Sequence, residues 1–199
     1  MIPREPTGRT RPLRTWLALA AVGLVVSPSV ARAHPQINAG ITVGGGAVVA
    51  PSDRTEALFH LGLHGDVVFG RDDPRDFGIG PYVEVLTADF VTLDSGGGAT
   101  LLLPIHETFP LMLSAGAAYS IREGADDVVL ATRIAWGSRS YNYHAVYGLA
   151  AVVFVAARAG IDSGSVEILG GASLDLAVLV LPFIGLYTWI TGGDPDEPD

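Results

Sequence analysis

With 199 residues the chain has room for one domain and hardly for two, and at 49% hydrophobic against 17% charged it is too apolar to stay disordered. It has no cysteine, which excludes disulfides, thiolate nucleophiles and cysteine-ligated metals. Its net charge is −9 and all 12 basic residues are arginines; with so few clustered cations, nucleic acid is not expected as a partner.

The first 33 residues differ from the rest. Arg4, Arg9, Arg11 and Arg14 form a positive start, Trp16 to Val26 is an apolar run, and Ala31-Arg32-Ala33 is a small-x-small cleavage pattern before His34. The run is too short for a membrane span, and residues 1–33 resemble a cleaved signal peptide. The alternative is an uncleaved anchor helix. The mature domain is then 34–191, outside the cytoplasm, and the chain from His34 to Asp199 carries seven arginines against twenty acidic residues.

From Gln36 onward the apolar residues repeat every two positions, which predicts strands of about ten residues separated by turns. The first is Gln36 to Ala50. In Phe59 to Phe69, the residues Phe59, Leu61, Leu63, Gly65, Val67 and Phe69 share one face, and His60, Gly62, His64, Asp66 and Val68 the other. A polar turn at 71–76 follows, with Arg71 in solvent. Ile79 to Asp89 puts Glu84 on its polar face. Asp94-Ser95-Gly96-Gly97-Gly98 reads as a turn, Ala99 to Ile105 as a strand of weak phase, and His106 to Pro110 as another turn. Leu111 to Arg122, Val128 to Arg139, Ala145 to Arg158 and Val166 to Leu176 complete eight strands, with turns at 123–127, 141–143 and 160–164. Short, regular connections predict an all-β fold, an up-and-down antiparallel β-barrel. Gly44-Gly45-Gly46 lacks the lysine and helix of a phosphate loop and is expected to let the barrel bend.

The polar face is small and sparsely charged, whereas the outside of a soluble barrel would be dense in charge. Apolar side to lipid and compact polar side to the lumen is the membrane arrangement. On this pattern, from Gln36 to Phe183, the chain resembles small eight-stranded bacterial outer-membrane β-barrels. The resemblance implies outer-membrane lipid as surroundings, the cell outer membrane as location, and a structural or interaction role without enzymatic activity. The aromatic content, 8%, is thin for two girdles. Residues 178–191 read either as a strand extension or as a short hydrophobic helix, and 192–199 as an acidic disordered tail. The other reading is a soluble periplasmic barrel that binds an apolar ligand in the manner of a lipocalin.

Eight residues are expected to form a lumen charge network: Asp66, Glu84, Arg122, Arg133, Arg139, Arg158, Glu167 and Asp175. Arg133 is expected to be held by a buried carboxylate, because a lone guanidinium in a narrow interior is costly. His60 and His64 are four apart, which on a strand separates them by about 13 Å, so no metal site is expected. No Ser, His and acid order suggests a catalytic triad, and no cofactor motif is present. Ligand and protein partner are not legible.

Overall fold

The structure is a computed structural model; it describes residues 35–49, 55–122, 126–139, 150–176, 183 and 190. The expected signal segment 1–33, the expected turn at 141–143 and the expected tail 192–199 lie outside the described residues. So does 178–191, apart from Phe183 and Ile190, which are helical and exposed.

Eight strands form: β1 (Gln36–Val49), β2 (Thr55–Val68), β3 (Gly78–Ala88), β4 (Thr92–Leu103), β5 (Leu111–Arg122), β6 (Asp127–Gly137), β7 (Ala151–Gly160) and β8 (Val166–Asp175). Each pairs antiparallel with its neighbours in sequence, and β8 closes on β1. The fold is a closed up-and-down barrel. The rim where β1 begins and β8 ends, here the terminal rim, carries the longer connections 69–77, 104–110 and 138–150. The opposite hairpin rim carries 50–54, 89–91, 123–126 and 161–165.

The registers set the barrel's shape. Paired residues lead from Asn38 through Asp66, Tyr82, Gly98, Gly116, Ala131, Arg158 and Glu167 back to β1 at Val48, ten residues beyond the start. That shear of ten over eight strands implies a strand tilt of about 40°, given a rise of about 3.3 Å per residue and a strand spacing of about 4.8 Å. Such a barrel is just wide enough for side chains to fill.

The alternation assigns sides. On β2, His60, His64, Asp66 and Val68 are buried, while Phe59 and Leu63 at the alternate positions are exposed. Ile79, Val83 and Val85 of β3, Leu130, Ile134 and Trp136 of β6, and Val153 and Val155 of β7 likewise point outward. The apolar core inside comprises Leu58, Val68, Leu86, Leu102, Met112, Ala135, Val152, Phe154, Ala156 and Leu169.

One turn lies elsewhere than the sequence suggests. Asp94 to Gly98 is not a turn but part of β4, and the expected strand at Ala99 to Ile105 is that strand's second half, ending at Leu103. The chain reverses at Asp89-Phe90-Val91. Asp89 and Phe90 have φ of 50° and 60°, the sign that tight hairpin turns require. The Val91 amide donates to the Ala88 carbonyl at 3.0 Å. The Asp89 carboxylate accepts from the Phe59 amide at 2.9 Å and steadies the bend.

The glycines of β4 serve packing instead. A Cβ at Gly96 or Gly98 would overlap the Ala117 or Ala115 carbonyl oxygen, and one at Gly116 would stand 2.7 Å from the Tyr82 hydroxyl. The small residues leave room for the Tyr82 ring. Gly44 and Gly46 also lie inside an unbroken strand, β1.

Candidate functional site

All eight expected lumen residues lie on the inner face, and among the described residues the contacts between them fall into separate clusters. Towards the terminal rim, the Arg139 guanidinium donates to Asp66 Oδ2 at 2.6 Å and to Asn38 Oδ1. Asn38 Nδ2 in turn donates to Asp175. His64 Nε2 stands 3.3 Å from the same Asp66 oxygen and its ring stacks on Tyr82. Arg139 lies just past β6, on the chain's path to the rim, so its long side chain can reach across to β1 and β2.

Nearer the hairpin rim, Arg158 of β7 meets Asp94 of β4 at 2.7 Å, both buried. The contact is an ion pair whose angles are not those of a hydrogen bond, and Arg158 Nε and Nη1 have no protein hydrogen-bond partner. Arg122 and Glu167 pair at 3.2 Å at that rim, with Arg122 half exposed to solvent. Asp94 and Asn38 were not among the sequence candidates. The period-2 signal, carried back from Thr100 through the glycines, places Asp94 inside; Asn38 sits on the inner face of the first strand.

Arg133 and Glu84 occupy the middle of the lumen. The expectation that a carboxylate holds Arg133 is not met. No described carboxylate lies within ion-pair reach of it, and its guanidinium instead sits 4.0 Å above the Phe154 ring. The cation–π contact replaces the missing partner in part. The expectation for Arg71 fails in the opposite direction. Arg71 is only 1% exposed. It folds back over the terminal rim and donates to the Asp76 carbonyl at 3.1 Å, the Pro74 carbonyl at 2.8 Å and Gln36 Oε1 at 3.4 Å. Gly78 makes this possible, since a Cβ there would stand 2.8 Å from Arg71 Cδ.

No family model, curated protein or solved structure matches the chain. The site is therefore read from its own chemistry.

Two small cavities lie in the lumen. One, of about 20 Å³, is lined by Asn38, His64, Ser114, Arg133, Arg139 and Asp175 among others. The other, of about 30 Å³, is lined by His60, Tyr82, Glu84, Arg133, Phe154 and Arg158 among others. Each has room for one or two water molecules. Neither approaches the roughly 300 Å³ at which small-molecule pockets begin. Among the described residues no three His, Asp or Glu side chains converge as a metal ion would need.

Proposed function

We propose that the mature chain is a small outer-membrane β-barrel with a structural or interaction role and no enzymatic activity. One observation carries this reading: the barrel is inverted. Charged and polar side chains such as His64, Asp66, Asp94, Arg139 and Arg158 share its interior with a small apolar core, while Ile37, Leu63, Val83, Ile134 and Val155 stand exposed around its outside. In water such a continuous apolar belt would drive association. In a bilayer it is what the solvent demands, and closure leaves no unpaired strand edge.

Dimensions support the same reading. About ten residues tilted by about 40° rise roughly 25 Å, the height of the apolar band of such barrels. Aromatic pairs sit near both rims: Phe59 with Phe90 at 6.0 Å and Phe109 with Trp136 at 5.6 Å. Against a soluble carrier of an apolar ligand stands the interior itself, which side chains fill.

Cell fractionation tests the proposal. Expressed with residues 1–33, the protein should sediment with outer membranes, resist salt and alkaline washing, and require detergent for extraction. A monomer recovered from the periplasm in plain buffer would overturn it.

A further inference from the structure

We infer that the middle of the lumen is a built water site, which joins Glu84 and Arg133 into one ion pair through solvent. The inference concerns the interior and stands whatever surrounds the outer face.

Several fully buried polar atoms here have no hydrogen-bond partner among the described residues. They are Arg133 Nε and Arg158 Nε and Nη1, and beside them lies His60, whose ring meets the backbone of Gly170. His60 is 1% and Arg158 3% exposed. All three side chains line the 30 Å³ cavity, and Glu84, which makes no ion pair within 4 Å among the described residues, lines it too. Leaving one such atom unsatisfied costs about 1–3 kcal/mol, so native interiors fill these places.

The kind of occupant follows from which groups are unsatisfied. Arg133 and Arg158 need acceptors. Glu84 needs donors. A neutral His60 presents one donor and one acceptor nitrogen. A small anion would serve the arginines but face the Glu84 carboxylate, and a cation would do the reverse. Water both donates and accepts, and the cavity has the volume for one or two molecules. The neighbouring 20 Å³ cavity shares Arg133 and Ser114 as walls. It adds two more unpartnered atoms nearby, His64 Nδ1 and Asp66 Oδ1. The hydrated region therefore extends past Arg133 toward the terminal rim.

The test uses the mature protein folded in detergent. A high-resolution crystal structure should place water within hydrogen-bond distance of Arg133 Nε and Glu84. A second crystal grown with bromide in place of chloride should show no anomalous peak in the cavity. A bromide peak there, or a cavity without density, would overturn the proposal. In solution, Glu84→Gln and Arg133→Met should each lower the unfolding midpoint, and the double variant should fall no further than the worse single. Strictly additive shifts would show that the two residues are not joined.

Discussion

Arg158 and Asp94 meet at 2.7 Å from strands β7 and β4, which share no backbone hydrogen bond. The pair spans the lumen, and both side chains have left water, at 2% and 6% exposure. Removing one partner strands a buried charge, an error of about 3–5 kcal/mol. Arg158→Leu and Asp94→Leu should each cost that much in denaturant unfolding of the detergent-folded protein. The double variant should cost clearly less than the sum, because two apolar side chains leave no charge behind. Additive losses would mean that the contact contributes nothing.

Arg71 and Arg133 invert the usual expectation for a turn residue and a strand residue. Arg71→Leu removes a charged donor from the carbonyls of Asp76 and Pro74 and opens the terminal rim. Hydrogen bonds to a charged group are worth about 1.5–3 kcal/mol, so a loss near the top of that range is expected. Arg133→Leu gives up the contact with Phe154, about 1 kcal/mol, and the solvent-bridged pairing with Glu84, whose carboxylate the cavity water still hydrates. Thermal melts of the two variants should rank Arg71→Leu as the less stable. The reverse order would mean that Arg133 holds a buried carboxylate directly and not through water.

How far the sequence carries depends on the interaction involved. Strand side assignment needs only the two-residue period, so His60, Asp66, Glu84 and Glu167 are legible as inward residues without any pairing information. Pairing needs register, and register comes from eight strands closing together; nothing near Arg158 in the sequence points to Asp94. The turn at Asp89-Phe90 was hidden because its left-handed positions carry no glycine or asparagine, while Gly96 to Gly98 offered that signature where none was needed. The burial of Arg71 is not legible in the sequence, because a turn's backbone can fold a long side chain back over a rim, which composition does not reveal.

Adjacent glycines give a clean test of sidedness on β1. A Cβ at Gly44 would overlap the Gly170 carbonyl oxygen and stand 2.5 Å from His60 Nε2, whereas at Gly45 the nearest atom is 3.3 Å away. Gly44→Ala should therefore cost about 1–3 kcal/mol by overpacking. Gly45→Ala, one position along and facing out, should stay within about 0.5 kcal/mol of the parent. Equal effects in urea unfolding would contradict the register of β1 against β8.

Export is checked by mass. Ala31-Arg32-Ala33 precedes His34, so intact-mass analysis of the protein from the cell envelope should give a chain that begins at or near His34. A mass that includes residues 1–33 would favour a retained anchor.

Leu63 decides what surrounds the barrel. It lies mid-strand on β2, 56% exposed, between the inward-facing pair Gly62 and His64. If lipid covers it, Leu63→Arg places a guanidinium near the bilayer midplane at a cost of about 2–4 kcal/mol, whereas Thr55→Arg at the strand's rim end should cost about 0–1 kcal/mol. In water the same Leu63 substitution would remove an exposed apolar side chain and leave stability unchanged or solubility improved. Folding yield into lipid vesicles, read by protease protection against the parent and Thr55→Arg, separates the two cases. A Leu63→Arg variant that assembles as well as the parent would mean that this face does not meet lipid, and the membrane reading would fall with it.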